Sequence, residues 1–151
     1  MNNNEIFYTN TNSQNTYSYN LATKKEKKIG KGWYFTKLSP NGKKLAYSKL
    51  NGEFKTGTFG FPYFRADIYI YDIASGKETL VLTDHYFNRW VNNANIIGKR
   101  LKKCEGFDCD PNGTYNDIGW LTDKTVIINL ESKESKETKI PADFSDFYPI
   151  D

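Results

Sequence analysis

The chain has 151 residues, of which 38% are hydrophobic, 16% aromatic and 26% charged, with a formal net charge of +3. That length suits one domain with one sizeable core, and the wealth of Tyr and Phe suits many short strands better than helices. Lysines scattered among acids exclude the clustered basic stripe of a nucleic-acid surface, and no apolar run is long enough to insert into a membrane.

The N-terminus, Met1-Asn2-Asn3-Asn4, lacks the basic and apolar regions of a signal peptide; in an excised fragment, a signal or anchor further upstream would lie out of view. Residues Glu5 to Thr9 read as a strand, Asn10 to Asn15 as a polar turn region, Thr16 to Leu21 as an alternating strand and Lys25 to Ile29 as its return. Gly30-Lys31-Gly32 breaks the pattern. Trp33 to Leu38 is an aromatic-rich strand that leads into Ser39-Pro40-Asn41-Gly42, where Pro suits the second place of a type I turn and Gly the last. Lys43 to Ser48 and Asp67 to Ile73 are strands separated by a long excursion. The turn Ala74-Ser75-Gly76 then leads to a further strand from Lys77 to Thr83.

These segments repeat. Thr16-Tyr17-Ser18-Tyr19-Asn20-Leu21 aligns with Ile68-Tyr69-Ile70-Tyr71-Asp72-Ile73 and with Thr125-Val126-Ile127-Ile128-Asn129-Leu130, each followed by a small or polar turn. The preceding strand recurs as Ile6-Phe7-Tyr8, Leu45-Ala46-Tyr47 and Ile96-Ile97-Gly98. The lead-in recurs as Tyr34 to Leu38 and Tyr86 to Trp90, and Phe144 to Tyr148 resembles the start of another. Self-similarity at roughly fifty residues, four strands to a unit, predicts an all-β fold of stacked antiparallel four-stranded sheets, β-propeller-like. One such sheet cannot bury both faces alone, so neighbours share a core. The repeats run roughly over 5–32, 33–84 and 85–140 within a single domain. Residues 141–151 are then either a closure strand or the beginning of a further blade.

The central unit carries a resemblance. Ser39-Pro40-Asn41-Gly42-Lys43-Lys44-Leu45-Ala46-Tyr47-Ser48, followed by Asp67-Ile68-Tyr69-Ile70-Tyr71-Asp72-Ile73-Ala74-Ser75-Gly76, resembles the TolB-type propeller repeat, with Asn41 where the family has Asp. Similar blades occur in the propeller domains of prolyl oligopeptidase-like enzymes. The flanking units match less well, and Val91 to Asn95 lacks the Ser-Pro-Asp-Gly turn. The resemblance implies a periplasmic, cell-surface or secreted protein with a protein–protein role. About three blades are fewer than the four to eight of closed propellers. The expected explanations are a terminal closure strand, a fragment of a longer propeller, or a homo-oligomer whose copies pair to close the ring.

Chemistry is expected in the two insertions. Asn51 to Arg65 holds Phe54, Phe59, Phe61, Tyr63, Phe64 and Arg65 among glycines and a proline. Such aromatics either fold back as a small satellite core or form a platform for a protein, a peptide or a sugar ring. Lys102 to Gly119 holds Asp108, Asp110, Asn112 and Asp117, whose opening Asp-x-Asp-x-Asn-Gly resembles a calcium loop, although Gly119 stands where an EF-hand has Glu. The alternative is an Asx-rich turn. Cys104 and Cys109 lie close enough for a local disulfide, which would indicate an oxidising compartment; two free thiols are the other reading.

No nucleophile elbow or phosphate-binding loop is found, and the sole histidine, His85, follows Thr83-Asp84 in the manner of a locally bonded turn residue. The expected function is therefore a non-catalytic binding module for another protein or peptide. The alternatives are an accessory domain of a larger enzyme, such as a peptidase, and a carbohydrate-binding module.

Overall fold

The computed structural model describes residues 4–51, 55–56, 62–63, 65–105 and 118–139, with backbone alone at 55–56, 62–63, 103–105 and 118–123. The chain is all-β: every regular element among the described residues is a strand. Strands β1 (Glu5–Asn10), β2 (Asn15–Asn20) and β3 (Lys25–Lys31) form a first sheet in that order. Strands β4 (Trp33–Leu38), β5 (Lys44–Leu50), β8 (Ala66–Asp72) and β9 (Glu78–Leu82) form a second, in the order β4-β5-β8-β9. Strands β10 (His85–Trp90), β11 (Asn95–Glu105), β12 (Ile118–Asn129) and β13 (Ser135–Glu137) form a third, again in chain order. Between β5 and β8, a two-stranded ribbon joins β6 (Lys55–Thr56) to β7 (Pro62–Tyr63). The ladders are antiparallel throughout.

Local chemistry sets the turns. Asn20 Oδ1 accepts the backbone N–H groups of Ala22 and Thr23, Asp72 Oδ1 that of Ser75, and Asn129 Oδ1 those of Glu131 and Ser132. Each is an Asx turn, in which a short polar side chain imitates a backbone carbonyl. Four residues after each cap the chain enters the left-handed region, at Lys24 (φ 56°), Gly76 (φ 69°) and Lys133 (φ 59°). The three turns are built alike, yet only one uses glycine there.

The second sheet is buried on both faces, which explains the unbroken apolar run of β8. Its Ile68 and Ile70, with Ala46 and Val81, meet Phe87, Ile96, Val126 and Ile128 of the third sheet. Its Tyr71, with Leu45, Tyr47 and Trp33, packs against Phe7 and Ile29 of the first. Isoleucines therefore point one way along β8 and tyrosines the other, as the two-residue period of a strand requires. Trp33 stacks on Tyr47 with ring centroids 3.9 Å apart.

The sheet-to-sheet links are one residue (Gly32) and two residues (Thr83, Asp84) long. Each leads from the last strand of one sheet to the first strand of the next. One expectation needs revising. Residues 102–119 read as an insertion between strands, but the β11–β12 ladder continues through Lys102↔Leu121, Cys104↔Gly119 and Glu105↔Ile118 after a register shift at Arg100/Leu101. Charged residues such as Lys102 and Lys103 do not stop a hairpin arm, whose backbone bonds are satisfied within the pair.

Candidate functional site

The hairpin turns alternate between two rims of the stacked sheets. The links Gly32 and Thr83–Asp84, the 51–65 excursion and the β11–β12 arm all leave from the same rim. A polar clasp sits there, where β5, β8 and the β9–β10 link converge.

Asp67, the second residue of β8, is 2% exposed. Its Oδ2 accepts the Asn51 side-chain amide at 2.7 Å, and its Oδ1 accepts the Asp84 backbone N–H at 3.0 Å. Both oxygens of this buried carboxylate therefore have donors, as burial of a charge demands. Asp84 is gripped at two points by Arg65, whose Nε donates to Oδ1 and whose Nη2 donates to Oδ2 at 3.2 Å. This two-point pairing suits the guanidinium fork. The hydrogen bond to Asp84, and then its charge, hold the Arg65 guanidinium still more firmly protonated. Asn51 N–H donates to the Arg65 carbonyl at 2.8 Å and closes the neck of the excursion. Asp84 adopts a left-handed backbone (φ 56°), and its carbonyl accepts Leu101 N–H at 2.8 Å, tying the clasp to the third sheet.

His85 is 8% exposed. Its Nδ1 lies 2.6 Å from the Thr83 carbonyl, so Nδ1 carries the proton and donates, and the lone pair falls on Nε2. Burial, above all, lowers its pKa below 6.5. The imidazole is thus neutral at pH 7. Its neighbouring Asp84 is committed to Arg65 instead, so the described residues contain no Asp–His relay.

Of the residues expected from sequence, Arg65 joins this clasp. Tyr63 lies in β7, its backbone opposite Lys55. Phe54, Phe59, Phe61 and Phe64 fall outside the described residues, as do Asp108, Asp110, Asn112, Asp117 and Cys109. Cys104 occupies β11 opposite Gly119. Among the described residues no group of three or more His, Cys, Asp or Glu is placed to hold a metal ion. Sequence reasoning missed Asn51, Asp67 and Asp84. The available signal was an acid at the head of an otherwise apolar strand, directly after a long excursion, since an acid in such a place needs nearby donors.

No protein-family profile matches the chain, and no curated protein matches it. Solved structures do. Oligogalacturonate lyase in complex with manganese is similar, with a TM-score of 0.57 and 14% identity over 89% of this chain and 37% of that one. So is Pyrococcus horikoshii acylaminoacyl peptidase, with a TM-score of 0.52 and 19% identity over 89% of this chain and 23% of that one. Acylaminoacyl peptidase in complex with Z-Gly-Gly-Phe-chloromethyl ketone gives 0.50 and 18%, with the same coverages of 89% and 23%. These proteins contain propeller domains. At such identities the likeness is one of fold: stacked antiparallel sheets arranged as in part of a propeller. The chain spans well under half the length of each of these neighbours.

Proposed function

We propose that this chain is a non-catalytic binding module that engages another protein or peptide through the rim holding the Arg65–Asp84–Asp67–Asn51 clasp. The observation that carries this reading is the construction of the neck. One backbone bond, Asn51 N–H to the Arg65 carbonyl, and the side-chain bonds of Asn51 to Asp67 and of Arg65 to Asp84 fasten the two ends of the excursion that holds Phe54, Phe59, Phe61, Tyr63 and Phe64. Aromatic side chains delivered from a rigid base can bind a partner at low entropic cost. Arg65 keeps a 40% exposed side chain even while paired, which leaves it within reach of a ligand.

A displayed-peptide library panned against the intact chain tests the proposal. Enriched sequences should bind the wild type and lose at least tenfold in affinity on Arg65→Ala or Phe59→Ala. A library that yields no enrichment, or peptides indifferent to both substitutions, would overturn it. A glycan array run alongside separates the carbohydrate-binding alternative, which predicts sugar binding that depends on the same aromatics.

A second reading has its own support. The solved neighbours are a lyase and a peptidase of which this chain spans 37% and 23%, so it also fits an accessory propeller segment of a larger enzyme. The central Ser-Pro-Asn-Gly unit and its Asp-Ile-Tyr strand favour a TolB-like or prolyl oligopeptidase-type repeat under either reading. An extracytoplasmic location follows if Cys104 and Cys109 are bonded. Intact mass with and without reductant checks that bond, and titration with calcium checks the Asp108–Asp117 loop.

A further inference from the structure

The rim opposite the clasp holds a second concave feature. A crevice of about 360 Å³ opens there between the second and third sheets. Its floor is apolar, formed by Ile70 and Val81, each 7% exposed, and by the half-buried Leu130. Its walls are basic. Lys44 comes from the start of β5, Lys77 from the entry to β9 and Lys133 from the turn between β12 and β13. Among the described residues that line the crevice, Asp72 is the one acid.

The register of the strands fixes this arrangement. Lys44 pairs with Asp72, and Asp72 N–H donates to the Lys77 carbonyl at 2.9 Å, so the three residues form a row across the second sheet. The row lies two residues along β8 from Ile70 and therefore shares its face, which looks at the third sheet. With neighbouring strands about 5 Å apart, Lys44 and Lys77 stand about 10 Å from each other, and both side chains reach an anion placed between them. Lys133 crosses over from the third sheet: its Nζ donates to the Leu80 carbonyl, in the last strand of the second, at 3.4 Å. Three ammonium groups from distant parts of the chain thus meet around one opening.

Asp72 does not cancel this charge. Its Oδ1 accepts the Ser75 backbone N–H at 2.8 Å and the Ser75 hydroxyl at 2.7 Å, which commits it to the turn. Neither Lys44 nor Lys77 forms an ion pair with another described residue. Nor does the turn require lysines. The corresponding row is Glu5, Asn20 and Lys25 in the first sheet and Asn95, Asn129 and Glu134 in the third, with the same Asx turn. Lysine on both sides of the cap occurs in the second sheet, where the crevice is.

We infer that this crevice binds a phosphate monoester with an apolar organic arm. The phosphoryl dianion sits among Lys44, Lys77 and Lys133, and the arm lies on Ile70, Val81 and Leu130. Lysine is a compact point charge with three rotatable donors and suits a tetrahedral anion, whereas a planar carboxylate is matched by the guanidinium fork. No arginine is among the described residues that line the crevice. Its volume falls at the small end of the range for small-molecule sites and suits an arm of about phenyl size. The site stands apart from the clasp and does not depend on it.

Titration of the intact chain with phenyl phosphate, followed through methyl resonances, tests the inference. Shifts should centre on Ile70, Val81 and Leu130. Inorganic phosphate lacks the arm and benzoate lacks the dianion, so each should bind at least about fivefold more weakly. Lys133→Gly and Lys77→Gln should each weaken phenyl phosphate about three- to fivefold, the range of an exposed ion pair, and added salt should weaken it further. Lys133 adopts φ of 59°, where glycine is at ease, so a loss of binding in Lys133→Gly is not a loss of fold. A Gly-Ser peptide carrying one phosphotyrosine separates the two sources of such an ester. Tighter binding than phenyl phosphate assigns the phosphoryl group to a protein chain, and equal or weaker binding assigns it to a free small molecule. No binding up to about 10 mM, shifts centred elsewhere, or an affinity unchanged in both lysine variants would each overturn the inference.

Discussion

Ser48 of the second sheet accepts the backbone N–H of Phe87 in the third through its Oγ at 2.8 Å, and both residues are fully buried. β10 is the first strand of its sheet and loses register between Phe87 and Arg89, so this amide has no ladder partner to fall back on. Ser48→Ala leaves a buried donor unsatisfied and is expected to destabilise the fold by about 1–3 kcal/mol. Urea unfolding should show a lower midpoint with an unchanged slope. A midpoint equal to that of the wild type would mean that Phe87 finds another acceptor.

The left-handed turn residues should respond to substitution in opposite directions. Lys24 and Lys133 adopt φ of 56° and 59° in turns where Gly76 adopts 69°. A non-glycine residue in this region is strained by about 1 kcal/mol, part of which the freer unfolded state of glycine takes back. Lys24→Gly and Lys133→Gly are therefore expected to be neutral to stabilising by up to about 1 kcal/mol, and Gly76→Ala destabilising by about the same. Thermal unfolding of the three variants in one buffer checks the signs, and a stabilising Gly76→Ala would contradict the shared geometry.

The architecture was legible because it depends on periodicity and on turns with local causes. The Ile-Tyr-Ile-Tyr alternation of β8 states its two buried faces outright, and each Asn or Asp cap is readable beside its turn. The clasp was less legible. Asp67 meets Asn51 across 16 residues and its second carboxylate oxygen meets the backbone of Asp84, 17 residues away. Such pairing appears only once β5 and β8 are set in register. The extension of β11 to Glu105 was hidden for a different reason: Leu101-Lys102-Lys103-Cys104-Glu105 has no alternation of apolar residues to mark it.

Two groups of buried titratable residues should shape the pH profile in opposite senses. Burial, followed by a hydrogen bond to Glu78, raises the Tyr47 hydroxyl far above 10.0, and burial pushes Tyr86 up to about 12. The unfolded chain releases these protons near pH 10 while the folded chain retains them. Their contribution is thus complete below about pH 10 and is lost as pH rises through the folded values. His85 runs the other way. Its folded pKa lies below 6.5, so its contribution is present above pH 6.5 and is lost as pH falls through the folded value. Denaturant titrations across pH should show a base limb flattened by Tyr47→Phe or Tyr86→Phe and an acid limb flattened by His85→Gln. Limbs unchanged by these substitutions would place the titrations elsewhere.

Gly30 and Trp33 provide the most demanding test of the packing between the first two sheets. A Cβ on Gly30 would stand 2.1 Å from Trp33 Cε2 and 2.3 Å from Cζ2. The indole has little room to yield: it stacks on Tyr47 at 3.9 Å and tilts against Tyr71 at 5.2 Å, and it is 3% exposed. Gly30→Ala should therefore destabilise by about 1–3 kcal/mol, the usual range for overpacking, and alter the near-ultraviolet circular dichroism of the stacked rings. Trp33→Leu alone opens a cavity and is expected to destabilise by a comparable amount. Because the three atoms nearest to the added methyl all belong to the indole, the double variant should be less destabilised than the sum of the two singles, with a coupling on the order of 1 kcal/mol. Additive effects in that cycle would mean that the first sheet does not rest on the second through this contact.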